Sequence, residues 1–218
     1  MWCSAPWCAP DGPRRLAAAA QVALTIAACG VPAIATATTT DTPAAVAPAP
    51  PTPDDPSARL LPGATVVGQG TLRYWGFAVY DATLLAAPGW RASDLGRQPL
   101  VLTLRYQRGF RGADIARRSL EEMRRAGPID PADEAAWLAA MQRVFPDVRA
   151  GDRIAGLRQP GVGARFVLTD ADGRQRILGD IADTRFAERF FGIWLAPTTS
   201  EPTLRQALLG PTATTAAP

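Results

Sequence analysis

Past Arg59 the apolar residues fall into two repeating patterns, and these predict the elements. Thr71 to Leu85 carries Trp75, Phe77 and Val79 at odd positions and Tyr74, Gly76, Ala78 and Tyr80 at even ones. A period of two belongs to a strand, so the stretch predicts one strand with two unlike faces. One face is bulky and apolar; on the other, two tyrosines flank small residues. Gly68 and Gly70 just ahead predict a tight approach. Leu100 to Tyr106 predicts a second strand, with Leu100, Leu102 and Leu104 opposite Thr103 and Arg105. Arg153 to Arg158 predicts a third. Arg165 to Thr169 and Gln175 to Leu178 predict a hairpin, joined through Asp172-Gly173.

The helical period is equally well marked. Gly112 to Ala126 carries Ile115, Leu120 and Met123 and stops at Gly127-Pro128. Asp130 and Pro131 mark the N-cap and first position of a second helix. Its stripe is Trp137, Leu138, Met141, Val144 and Phe145, ended by Pro146. Asp183 is placed to cap a third helix, with Phe186, Phe190, Phe191 and Trp194 on one side. Ser200 is placed to cap a fourth, which runs to Leu209 and stops at Gly210. Such stripes face a core at helical spacing.

The order is two strands, two helices, three strands, two helices. Hairpins with helices in separate runs predict an α+β domain, an antiparallel sheet covered by helices on one face. The chain holds no internal repeat and no G-x-G-x-x-G or Walker pattern. Gly161-Val162-Gly163 precedes a strand, so it is a turn and not a phosphate cradle.

The first 58 residues follow neither pattern. Arg14 and Arg15 precede the uncharged stretch Leu16 to Ala28, and the whole of 1–28 reads as a secretory signal peptide. The stretch is shorter than the ~20 residues that span a bilayer as a helix. Ile26-Ala27-Ala28-Cys29 is similar to a bacterial lipobox, which makes Cys29 the candidate lipidation site. Cleavage at Ala33-Ile34-Ala35 or at Ala35-Thr36-Ala37, or retention of the segment uncut, are the alternatives. Residues 29–58 are mostly Ala, Thr and Pro, a composition that predicts a semi-rigid disordered linker. Residues 211–218 form a similar tail. The expected domain is 59–210, long enough to bury a core without staples. The expected localisation is exported and periplasmic, as a membrane-anchored lipoprotein.

Composition narrows the chemistry. The chain has no His, Lys or Asn; all 23 basic residues are arginine, and the three cysteines are Cys3, Cys8 and Cys29. These absences exclude a His-activated serine, a lysine Schiff base and a His/Cys zinc or copper site. Past position 29 they also exclude a thiol nucleophile and a disulfide framework. No metal and no cofactor are expected. A net charge of +3 raises nucleic acid as a partner, but the signs are interleaved. Asp114–Arg118, Arg117–Glu121, Arg118–Glu122 and Glu121–Arg125 are i,i+4 pairs that read as a solvated helix face, not as a one-signed stripe. No nucleic-acid partner is expected.

A run from Gly68 to Asp81, Gly-Gln-Gly-Thr-Leu-Arg-Tyr-Trp-Gly-Phe-Ala-Val-Tyr-Asp, resembles the opening of bacterial chalcone isomerase-like domains. Gly112 to Ala116, Phe145 to Val148, Gly151 to Arg153 and Phe190 to Leu195 resemble later parts of the same family, in order. The resemblance implies the chalcone isomerase fold, an open-faced β-sandwich with a cleft between sheet and helices. It implies two kinds of activity. Plant members close a flavanone ring; other members bind fatty acids and hold the carboxylate with an arginine and a tyrosine.

Ring closure adds a phenolate to an enone and needs a cationic or hydrogen-bonding site for the developing enolate. The step does not need His, Lys or Cys. The plant site, as the resemblance implies, uses an asparagine, and this chain has none. Arg73 precedes Tyr80 by seven positions, closer than the arginine and tyrosine of the ligand-binding relatives. On one regular strand an odd separation puts the two on opposite faces unless a bulge intervenes. Tyr74-Gly76-Ala78-Tyr80 leaves room for an apolar ligand with a polar end, or lets a helix pack close with the phenols at the rim.

The candidate ligand-binding residues are Tyr74, Tyr80, Arg73, Arg105 and Tyr106; no catalytic residue is assigned. The expectation is an exported domain that binds a small amphipathic ligand, fatty acid or polyphenol-like, without catalysis. The alternatives are an intramolecular lyase of the chalcone isomerase type and a protein-interaction module at the bacterial envelope.

Overall fold

The computed structural model describes residues 56–210. The expected signal peptide, Cys29, the linker up to residue 55 and the tail 211–218 lie outside the described residues. Six strands form one antiparallel sheet in chain order: β1 (Thr65–Tyr74), β2 (Phe77–Ala86), β3 (Leu100–Tyr106), β4 (Arg153–Gln159), β5 (Gly163–Thr169) and β6 (Gln175–Ile181). Helices α1 (Gly112–Met123) and α2 (Pro131–Val144) join β3 to β4; α3 (Thr184–Leu195) and α4 (Pro202–Leu209) follow β6. This is the α+β class that the patterns predict.

Strand register defines the helix-covered face. Tyr80 lies opposite Tyr106, Ala82 opposite Leu104, Leu84 opposite Leu102 and Ala86 opposite Leu100. The rows continue through Ile154, Gly156 and Arg158 of β4 to Leu168, Phe166 and Ala164 of β5. Helices sit directly on these rows: a Cβ added to Gly156 would lie 3.2 Å from Phe191 of α3. On the other face, Leu85, Val101, Ala155 and Leu157 form a smaller core that packs against Leu60, Leu61 and Ala64. Those three come from the chain ahead of β1, which opens with a short helical turn at Pro56–Leu60.

One element departs from the pattern. Thr71 to Leu85 is not a single strand; it contains most of a hairpin, turning at Trp75-Gly76 between β1 and β2. Both turn residues have positive φ, 51° and 82°, as a two-residue type I′ turn demands. Asn-Gly or Asp-Gly is the usual sequence there, and Trp75 in the first position hides the turn. The alternation also runs on through it unbroken. The initial run is therefore three strands, not two.

The helix caps follow the sequence with one exception. Asp130 accepts the Ala132 N–H at 2.8 Å. Asp183 accepts the N–H groups of Arg185 and Phe186 at 2.8 and 3.1 Å. Its second oxygen accepts the Trp137 indole N–H at 2.9 Å, tying α2 to α3. Ser200 does not cap α4. Glu201 takes that position, and the Ser200 hydroxyl instead donates to Glu122 at 2.8 Å. The charged face of α1 is only partly solvated, because Glu122 is buried. Asp114 pairs with Arg117 and Glu121 with Arg118 at i,i+3 spacing, while Glu122 is gripped by Arg118 and Arg125.

Candidate functional site

Two of the five candidate residues meet inside the domain. Tyr80 and Tyr106 stand side by side across β2 and β3, their rings edge to face at 6.2 Å. They are 8% and 3% exposed. Trp194, in the last turn of α3, donates its indole N–H to the Tyr80 hydroxyl oxygen at 2.9 Å. Burial pushes both phenols above the ordinary tyrosine range. For Tyr80 the Trp194 hydrogen bond works against that rise, while Glu201 and Glu122 add to it. For Tyr106 the neighbouring Tyr80 adds to it. Both phenols keep their protons at neutral pH, so each is a hydrogen-bond donor and a poor base.

A polar knot lies beside the phenols. Arg118, Arg125 and Ser200 all converge on the buried Glu122 carboxylate. Burial raises the Glu201 carboxyl, as does Glu122, against the pull of Arg118 and Arg125. The knot joins α1 to the start of α4 and closes this end of the helical layer.

The space above β1 and β2 is filled by the protein itself. Gly68 and Gly70 face α4 so closely that an added Cβ would lie 2.2 Å from the Ala207 carbonyl oxygen and 2.8 Å from Leu204 Cδ1, respectively. Their lack of a side chain lets α4 lie directly on the edge strand. Beneath the helices Ala82, Leu84, Ala86 and Leu100 have no exposed surface.

The other three candidates lie outside this region. Arg73 is exposed and donates from Nη1 to the Gly76 carbonyl at 3.4 Å, across the hairpin turn. A register shift after Leu72 pairs Arg73 with Ala78 and leaves Leu72 opposite Tyr80. Tyr74 is partly exposed at the hairpin tip and packs on Trp75, not on a ligand cleft. Arg105 is exposed between Asp81 and Arg153 on the face away from the helices, as its odd offset from Tyr106 requires. Neither arginine reaches the phenols.

The arginine on the helix-covered face is Arg158, which the sequence pattern marks only as the end of a strand. It lies in the row of Ala86, Leu100 and Ala164 and is 7% exposed. Its Nη1 has no hydrogen-bond partner. Gly96, in the β2–β3 connection, passes over it: a Cβ there would lie 3.7 Å from Arg158 Nη2. Burial lowers the guanidinium pKa, partly offset by Glu188 on α3. An arginine remains charged even so. From sequence, the one hint was an arginine two positions after Gly156, in phase with the closely packed face.

A family model described as chalcone isomerase-like matches residues 67–210. That span takes in nearly the whole sheet and all four helices. The chain belongs to the chalcone isomerase-like family. An uncharacterized protein of Haemophilus influenzae is 32% identical over 139 residues, covering 63% of this chain. The match spans 64% of that relative's length. A solved structure, a fatty-acid binding protein of Arabidopsis thaliana, is similar with a TM-score of 0.49 and 11% identity over 68% of this chain and 87% of that one. Among the described residues of this chalcone isomerase-like chain, no cluster of His, Cys, Asp or Glu is placed to hold a metal ion. No helix among them is long and apolar enough to cross a membrane.

Proposed function

We propose that this chalcone isomerase-like domain binds a carboxylate-headed apolar molecule of the fatty-acid class and does not close flavanone rings. Arg158 carries the reading. A guanidinium covered by protein, in an apolar row and with an unpartnered N–H, is costly unless something supplies countercharge and acceptors. A carboxylate supplies both, in the forked geometry that suits arginine. Ala86, Leu100 and Ala164 around it offer apolar contact for a chain, and the connection 87–99 is the cover that a ligand must displace.

Two observations weigh against ring closure. Tyr80 holds its proton and is already bonded to Trp194. Arg158 lies six positions along β2 from the phenol row, about 20 Å at ~3.3 Å per residue. Arg158 and the phenols therefore cannot converge on one small enone, and Arg118 and Arg125, the cations nearer Tyr80, are already paired with Glu122.

Calorimetric titration of the delipidated full chain with palmitate tests the proposal. Palmitate should bind, hexadecanol should bind far more weakly, and Arg158→Met should weaken palmitate about tenfold or more, as loss of a charge-assisted pair implies. Equal binding by Arg158→Met, or no binding by the wild type, would refute it. Hydroxychalcone absorbance should stay at background in the presence of the protein.

We further propose, on the lipobox-like run Ile26-Ala27-Ala28-Cys29, that the domain lies outside the cytoplasm on a lipid anchor at Cys29. Cys29→Ser should then release the chain from high-salt-washed membranes, and unchanged fractionation would reject the anchor.

A further inference from the structure

The β1–β2 hairpin ends in an exposed aromatic wedge. Trp75 is 76% exposed, Phe77 69% and Tyr74 37%. They are the large aromatic side chains left exposed among the described residues. Trp75 also holds φ at 51°, where a residue with a Cβ is strained and glycine or asparagine is the stable choice. Folding gains little from tryptophan at this place: apart from the Tyr74 ring beside it the indole is in water, and the backbone is strained to put it there. A strained, exposed aromatic at a turn calls for a use outside the fold.

The surroundings of the wedge are cationic. Arg73 lies in the hairpin itself. Gln107 N–H donates to the Val79 carbonyl at 2.9 Å, which brings the exposed Arg108 alongside the start of β2, with the exposed Arg105 further along the strand opposite Asp81. The nearby carboxylate, Asp81, accepts from Thr71 at 2.7 Å and from Gln107; lying opposite Arg105, it offsets one of these charges and leaves Arg73 and Arg108 in excess.

We infer that this hairpin tip docks on an anionic lipid surface. Its size separates that occupant from a protein. At about 200 Å² per large aromatic, the exposed fractions of the three rings amount to roughly 400 Å², half of the ~800 Å² a stable protein partner covers. Interfacial insertion needs only a few aromatic side chains at headgroup depth, with arginines against anionic lipid. Tryptophan and tyrosine suit that boundary because each has an apolar body and a polar tip. The inference is independent of the Arg158 reading, since the tip and Arg158 lie at opposite ends of β2.

The test uses the full chain carrying Cys29→Ser, so that no acyl anchor contributes. Sedimentation with phosphatidylglycerol-containing vesicles should show binding that weakens in high salt and is much weaker on pure phosphatidylcholine. Trp75→Asn should cut partitioning about tenfold or more, as loss of one large apolar side chain implies. It should also leave thermal stability equal or higher, because asparagine suits the left-handed turn position. Phe77→Ser should likewise reduce binding, while Ile177→Asn, on the exposed edge strand β6, should not. Brominated lipids should quench wild-type fluorescence more than that of Trp75→Asn. Equal binding by Trp75→Asn, absence of binding to anionic vesicles, or equal affinity for neutral ones would each overturn the inference. Self-association in the ultracentrifuge that Trp75→Asn abolishes, without vesicle binding, would reassign the tip to a second copy of the chain.

Discussion

Replacing Arg158 with methionine should separate stability from binding in opposite directions. In the free protein Arg158 sits in an apolar row with an unpartnered Nη1. An unsatisfied buried polar group costs about 1–3 kcal/mol. Methionine keeps most of the aliphatic length and adapts to the gap. The variant gives up the attraction to Glu188, which is exposed and so contributes less than about 1 kcal/mol. The net expectation is a gain of about 1–2 kcal/mol, or a Tm rise of about 2–8 °C for a domain of this size. Adding palmitate should reverse the order. Ligand at a hundredfold excess over Kd stabilises the wild type by about 2.7 kcal/mol and the variant by much less. Thermal unfolding followed by circular dichroism, with and without palmitate, reads both effects. The decisive signature is the crossing: the variant melts higher alone, the wild type melts higher with ligand. A variant that melts several degrees lower without ligand would show that Arg158 is held by structural partners, and the case for an anchor would fail.

Three other consequences are measurable. Gly68→Ala should lose about 3 kcal/mol in urea unfolding, because its Cβ would meet backbone oxygens of α4 that cannot swing aside; Gly70→Ala, which meets side-chain carbons of Leu204 and Ala207 and no backbone atom, should lose less. Tyr80→Phe leaves the buried Trp194 N–H without its acceptor and should cost about 1–3 kcal/mol, with Trp194→Phe in the same chain recovering part of it. In ultraviolet titration the same variant should lose its phenol from a phase above the ordinary tyrosine range, and loss from an ordinary phase would contradict the burial argument. Asp183 is pushed up by burial but pulled lower on balance by the Trp137, Phe186 and Arg185 hydrogen bonds and the Arg185 charge. A carboxyl lowered in the folded state adds stability above its unfolded pKa of about 3.9 and loses it as pH falls further. The urea midpoint of Asp183→Asn should therefore fall less between neutral pH and about pH 3 than that of the wild type; an unchanged slope would show that Asp183 contributes nothing to acid unfolding.

The helices were written locally. Asp130-Pro131 and Asp183 carry their own cap chemistry, and stripes such as Phe186, Phe190, Phe191 and Trp194 set the buried side of a helix whatever lies beneath. The α+β class, the late hairpin and the family followed from such local signals. The first hairpin did not. A period-two alternation carries no information about reversal when the turn sites hold Trp75 and Gly76 and the apolar pattern continues across them. That one turn moved Arg73 and Tyr74 from the expected cleft to an exposed tip. Ser200 does not cap α4 because Pro202 fixes the start of the helix one residue later, freeing the Ser200 hydroxyl for Glu122 on α1.

By itself the sequence determined which residues could form each helix, which chemistries were excluded for want of His, Lys and Cys beyond position 29, and which family the segments belong to. The tertiary structure alone decided which arginine is inside. Arg73, Arg105 and Arg158 all sit in strands beside apolar neighbours, and strand alternation assigns each to one of two faces without saying which face a helix will cover. Laying α3 and the β2–β3 connection over the row of Ala86, Leu100 and Ala164 buried Arg158 and left the other two in water. A charge becomes a candidate binding site only when its solvent is removed, and removal of solvent is a property of packing.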